Sequence, residues 1–232
     1  MPIEAVIFDL DGTLASFNLD YKALRGEVRN YLRKRGVPAS VLSTRESIFE
    51  MLKKAEIFFK NASKSDEPFV EVQHEALAIA EKFELEAALS ASLMPGTNET
   101  LKALKRMNIK TGLCTINSQK ATNYILQRFQ IAGFFDTIVP RELVRYVKPN
   151  PEHFETAIKM LGSHPECTLV VGDSNIDMQS AKELKTIAVG IPTGTASIEQ
   201  LTNNGANFII TSIADLPVLI EKINKGFEEA KP

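Results

Sequence analysis

The chain has 232 residues, 44% hydrophobic and 24% charged, values that exclude a disordered or fibrous protein and allow one large domain or a core with a smaller insert. Its net charge of −2 supplies no basic field to hold nucleic acid, and no apolar run approaches the roughly 18 residues of a membrane span. The opening MPIEAVIFDLDGT turns acidic after a short apolar run, unlike a signal peptide, and Cys114 and Cys167 both lie beside apolar runs. The expectation is a cytoplasmic protein with reduced, buried thiols.

The first predicted element is the unbroken apolar run Ala5-Val6-Ile7-Phe8, the pattern of a strand buried on both faces of a parallel sheet. The stretch 16–92 then carries helical spacing in place of strand signals. Tyr21, Leu24, Val28, Tyr31 and Arg35 form one set, Ile48, Met51, Leu52, Ala55, Phe58 and Phe59 a second, and Phe69, Val72, Ala76, Ile79, Ala80 and Phe83 a third. A short fourth helix is expected at 84–92, with turns at Ser63-Lys64-Ser65-Asp66 and Met94-Pro95-Gly96. Further strands follow at 112–114, 138–139, 169–171, 187–189 and 208–210. Helices are expected between and beyond them at 97–108, 119–129, 151–162, 177–185, 197–204 and 212–225. This alternation predicts an α/β fold: a Rossmann-like, doubly wound parallel sheet over 1–15 and 93–232, with a helical insert over 16–92.

Three predicted strands end in polar residues. Asp9-Leu10-Asp11-Gly12-Thr13 follows the first, Thr115 the second, and Gly172-Asp173-Ser174-Asn175-Ile176-Asp177 a later one. In open α/β sheets ligands bind beyond the carboxyl ends of the strands, so neighbouring strands would bring these tips together. Lys148, in Val147-Lys148-Pro149-Asn150-Pro151, could reach the same place. Clustered carboxylates repel and take up protons unless a cation offsets them, and a hard divalent ion such as Mg2+ suits oxygen ligands beside phosphate. A carboxylate nucleophile, a second carboxylate for acid–base work, a metal, a lysine and a hydroxyl donor together serve phosphoryl transfer.

DLDGTL at 9–14, Thr115 after its apolar strand, KPNP at 148–151 and GDSNID at 172–177 resemble the four ordered motifs of the haloacid-dehalogenase-like hydrolases. The resemblance covers the whole chain and is nearest to phosphoglycolate-phosphatase-like and sugar-phosphatase-like members with a helical cap of the first type. It implies that Asp9 is the nucleophile that becomes an aspartyl-phosphate and that Asp11 is the general acid and base. It further implies that Asp9, Asp173, Asp177 and the Asp11 backbone carbonyl hold Mg2+ directly or through water. Thr115 and Lys148 would hold the phosphoryl oxygens. Members often follow the second-motif Thr directly with Asn or Ser. Here Ile116 intervenes before Asn117-Ser118, and Ile116 and Asn117 are the candidates for further phosphate contacts.

The implied activity is hydrolysis of a small phosphorylated metabolite by a monomer or homodimer, with no nucleic acid or membrane partner. A phosphomutase of the same superfamily and a non-catalytic phospho-accepting or phosphate-sensing domain are the alternatives. The cap is expected to close on the core about hinges near Ala15-Ser16-Phe17 and Leu93-Met94-Pro95, with Tyr21, Lys22 and Arg25 candidates to grip the leaving group. Taken singly, Asp173 and Asp177 would also suit helix caps. His74, His153 and His164 lack metal-ligand spacing and are expected to be solvent-facing or capping residues.

Overall fold

The computed structural model describes residues 2–16, 18–62 and 66–229. The expected turn at 63–65 and the hinge residue Phe17 lie outside them. Two compact units are present, one of residues 1–17 and 91–232, the other of residues 18–90.

In chain order the larger unit opens with β1 (Ala5–Phe8) and β2 (Ala15–Ser16). The helical unit contributes α1 (Tyr21–Lys34), α2 (Ile48–Asn61) and α3 (Asp66–Ser90). The larger unit resumes with β3 (Ser92–Leu93), α4 (Thr97–Arg106), β4 (Lys110–Cys114), α5 (Gln119–Arg128), β5 (Thr137–Val139) and α6 (Glu152–Leu161). It ends with β6 (Thr168–Gly172), α7 (Asn175–Leu184), β7 (Ile187–Gly190), α8 (Ile198–Asn203), β8 (Phe208–Ile209) and α9 (Leu216–Glu229).

Six strands form one parallel sheet in the order β5-β4-β1-β6-β7-β8. β1 is central because its four residues are all fully buried, as only an inner strand covered on both faces can be. The chain runs from β1 outward through β4 to β5, then returns to lay β6 on the other flank of β1. That reversal is the topological switch at which doubly wound sheets open a crevice. Phe8 pairs in register with Leu113 of β4 and Val171 of β6, so the residues just beyond these three strands leave the sheet side by side. The core beneath is closed by Ile7, Val170, Phe154, Ala157, Met178 and Ala188.

The helical unit packs Leu24, Val28 and Leu32 of α1 against Met51, Ala55 and Phe59 of α2 and Val72, Ala76 and Ala80 of α3. Ser47 caps α2, its hydroxyl accepting from the Glu50 N–H at 3.1 Å while the Glu50 carboxylate accepts from the Ser47 N–H at 2.9 Å. Two expectations for 16–92 are corrected. Residues 84–90 are the last turns of α3 and not a separate helix, because no Gly or Pro interrupts 69–90 and Glu, Leu and Ala favour continuation. Strand pairing also enters this stretch, since β2 and β3 form a short antiparallel ribbon with Ser16 opposite Ser92. Among the described residues no helix is long and apolar enough to cross a membrane.

Candidate active site

Asp9 is the first residue beyond β1, and its N–H donates to Val171 O at 2.9 Å, extending the sheet register by one residue. The chain then turns tightly: the Leu14 and Ala15 N–H groups both reach Leu10 O at 3.0 Å, and the Gly12 N–H reaches Ala15 O at 2.8 Å. Gly12 has φ +78°, and a Cβ there would meet the Asp173 carboxyl at 2.8 Å, so this turn needs glycine for both its dihedral and its neighbour. Thr115 and Asp173 leave β4 and β6 on the two flanks of Asp9, as adjacent strands require. Lys148 precedes a cis proline peptide in the approach to α6.

The Lys148 Nζ lies 2.5 Å from Asp9 Oδ1 and 2.7 Å from Asp177 Oδ1, and donates also to Cys114 O at 3.2 Å. All three charged side chains are buried. Burial alone would lower the lysine pKa, but Asp177 and Asp9 outweigh it and hold the ammonium firmly protonated. Burial pushes the Asp9 carboxyl well above the ordinary aspartate range; Lys148 opposes the rise, and Asp177, Asp173 and Asp11 add to it. Burial, then the Asp177 charge, raises Asp173 to about 6.

Asp9, Asp173 and Asp177 each place a carboxylate oxygen within 4.8 Å of the others. Three carboxylates against one ammonium leave two uncompensated negative charges in a buried place, which is the charge of one divalent cation. Oxygen donors of that number and charge fit Mg2+, and the raised pKa values of Asp9 and Asp173 reflect the cost of crowding negative charge in this buried place. The Asp11 carboxylate is outside this trio: its Oδ2 accepts from Asn117 Nδ2 at 2.8 Å. Asp177 also accepts at Oδ2 from the Ser174 N–H at 3.2 Å, so one residue both opens α7 as a cap and offers its other oxygen to the cluster. The capping reading of Asp177 is therefore correct and does not compete with a place in the site.

Sequence reasoning missed the loop after β7. The Thr195 N–H donates to Asp173 Oδ2 at 2.8 Å, and the Thr193 hydroxyl donates to Gly12 O at 2.5 Å. A Cβ on Gly194 would sit 1.8 Å from Asp173 Oδ2. Asp173 is thus clasped between Gly12 and Gly194 and oriented by Thr195. The available signal was Thr193-Gly194-Thr195, small and polar, at the tip of an apolar strand. Of the other expected residues, Thr115 is buried and its hydroxyl accepts from the Asn117 N–H at 3.2 Å, while Ile116 turns its carbonyl to Arg141 Nη1 at 3.3 Å. Within the helical unit the Arg25 guanidinium lies 5.6 Å from the Tyr21 ring centre.

The expectation for His153 is overturned. It is fully buried, its Nε2 lies 2.9 Å from Val139 O, and its ring stacks on Phe154. Burial, then the Lys148 charge, lowers its pKa to about 4, so it is a neutral core residue. The reason is register: His153 sits in the first turn of α6 beside Phe154, on the helix face that covers β4 and β5. His74 is exposed, and His164 is exposed at the N-cap of a short 3-10 turn, both as expected. Cys114 and Cys167 are buried and free, and burial raises both thiols.

Known proteins match this chain in sequence or in fold over nearly its whole length. Pyrophosphatase PpaX of Oceanobacillus iheyensis is 26% identical over 230 residues, covering 95% of this chain and 98% of the relative. Pyrophosphatase PpaX of Bacillus mycoides is likewise 26% identical, over 97% of this chain and all of the relative. Among solved structures, a β-phosphoglucomutase from Clostridium difficile superposes with a TM-score of 0.66 at 23% identity, covering 99% of this chain and all of the other. A hydrolase from Pseudomonas syringae superposes with a TM-score of 0.64 at 24% identity, covering 94% and 98%. The family model for haloacid dehalogenase-like hydrolases matches residues 3–185, which include Asp9, Thr115, Lys148, Asp173 and Asp177, and the chain belongs to that family of hydrolytic enzymes.

Proposed function

We propose that the protein is a Mg2+-dependent phosphatase that cleaves a small phosphomonoester through an aspartyl-phosphate on Asp9. The observation that carries this reading is the buried meeting of Asp9, Asp173 and Asp177 around Lys148, with two negative charges left over. Asp9, Asp173, Asp177 and the Asp11 carbonyl would hold the metal. Bound there, Mg2+ would offset the charge of the carboxylates and of the phosphoryl oxygens.

In the first step an Asp9 carboxylate oxygen attacks phosphorus. The bond from phosphorus to the ester oxygen breaks, and the departing oxygen takes the proton of the Asp11 carboxyl. Lys148 and the Thr115 hydroxyl neutralise and orient the phosphoryl oxygens. In the second step the Asp11 carboxylate takes a proton from water as that water attacks phosphorus. The bond to Asp9 breaks, orthophosphate leaves, and both aspartates return to their starting states. Lys148, already paired with Asp9 Oδ1, leaves the other Asp9 oxygen to act as the nucleophile.

The names of the relatives make pyrophosphate a member of the substrate panel, beside phosphoglycolate, sugar phosphates and nucleoside monophosphates. Phosphate release from that panel, with and without Mg2+, tests the reading. Release that depends on Mg2+ and disappears in Asp9→Asn is expected, and release that survives Asp9→Asn rules the mechanism out. The buried free thiols support a cytoplasmic setting.

A further inference from the structure

The segment where this chain departs from the usual motif pattern contains a contact that no role above requires. Asn117 is 2% exposed, and its amide Nδ2 donates to Asp11 Oδ2 at 2.8 Å. We propose that Asn117 is a positioning residue for Asp11, fixing which carboxyl oxygen carries the proton given to the leaving group. The proposal rests on the phosphatase reading above.

An amide NH2 group can only donate, and the carbonyl oxygen of a carboxylic acid is a better acceptor than its hydroxyl oxygen, so the contact at Asp11 Oδ2 favours the transferable proton on Asp11 Oδ1. A carboxyl free to turn offers its proton in two placements and several rotamers. One oriented by a buried donor offers it in one. The donor is itself held in place. The Asn117 N–H bonds Thr115 Oγ1 at 3.2 Å, which folds the chain back after β4. Arg141, also buried, takes both carbonyls of the segment, Nη1 reaching Ile116 O at 3.3 Å and its backbone N–H reaching Asn117 O at 3.3 Å. Ile116 is the residue that intervenes between Thr115 and Asn117, and with it in place the asparagine side chain meets the residue three beyond Phe8. The intervening residue thus converts a candidate phosphate contact into a support for the acid.

The test compares two esters of similar size whose leaving groups differ in basicity, p-nitrophenyl phosphate and benzyl phosphate, using kcat/KM, which reports every step up to departure of the leaving group. A basic alkoxide needs protonation as it departs, and a nitrophenolate needs little. In the Mg2+-loaded enzyme, Asn117→Ala is expected to lower kcat/KM for benzyl phosphate at least tenfold more than for p-nitrophenyl phosphate, within the range of about 10²–10⁴ that general acid catalysis supplies. Asn117→Asp has the same shape and no amide donor. It is expected to show the same selective loss and keeps the test available if the alanine variant folds poorly. Equal losses for the two esters, or no loss for either, overturn the role of Asn117 and leave the phosphatase reading standing. If the unmodified enzyme releases phosphate from neither ester nor from any member of the metabolite panel, both readings fall together.

Discussion

Asp173 carries two demands that conflict under the proposed function, since it is buried beside like charges and yet would have to be ionised to hold a metal. Its carboxyl titrates near 6 in the folded protein, against 3.8 ordinarily. A raised folded-state value means that the native chain holds the proton more tightly than the unfolded chain. The stability from this group is complete below the unfolded value and is lost as pH rises through about 6. On the proposed reading Mg2+ would replace that proton, so the rise in melting temperature on adding Mg2+ should be larger at pH 7.5 than at pH 5. Equal rises at the two pH values would contradict the assignment of Asp173 to the metal. The clasp around the same carboxylate gives a second prediction. Gly194→Ala drives a methyl group into Asp173 Oδ2 and should weaken Mg2+ binding tenfold or more, read by calorimetry, while circular dichroism stays native. Unchanged Mg2+ affinity would show that the loop does not position Asp173.

The helices and strands set these residues in place, and their stability can be tested apart from the chemistry. Met51 is fully buried between α1 and α3, and Met51→Ala should cost about 2–5 kcal/mol in urea unfolding. Ser47→Ala removes one half of a capping box at the exposed start of α2 and should cost about 1 kcal/mol. A loss for Met51→Ala no greater than for Ser47→Ala would remove Met51 from the centre of this packing. The same elements show what the sequence made legible. Runs such as Ala5–Phe8 and Leu169–Val171 identified inner parallel strands because burial on both faces removes the polar alternation. The motif residues could then be assigned to strand tips, and Asp9, Thr115 and Asp173 do lie at three neighbouring tips. What escaped was non-local. The burial of His153 depends on which face of α6 meets the sheet, and the clasp by Gly194 and Thr195 on a loop about 20 residues further on, past β7, whereas the continuation of α3 through 84–90 follows from its own uninterrupted run of helix formers.

At the scale of the whole molecule, the site is a place where function and stability oppose each other, and two substitutions should move the metal-free protein in opposite directions. Asp9→Asn removes one negative charge from a buried cluster in which Asp173 and Asp177 already repel it, and leaves Lys148 its partner Asp177. The metal-free protein should gain about 1 kcal/mol, or roughly 2–4 °C in melting temperature for a domain of this size, while turnover disappears. Lys148→Met keeps the side-chain volume but deletes the ammonium, leaving three buried carboxylates with no countercharge. Breaking a buried ion pair from one side costs about 3–5 kcal/mol, so the metal-free protein should melt well below the unmodified chain. Mg2+ should recover much of that loss in Lys148→Met and should stabilise Asp9→Asn less than the unmodified protein, because the first variant has more unbalanced charge to offer and the second has less. Melting curves of the three proteins with and without Mg2+ give six values. If both variants shift in the same direction without metal, buried charge is not what limits the stability of this fold.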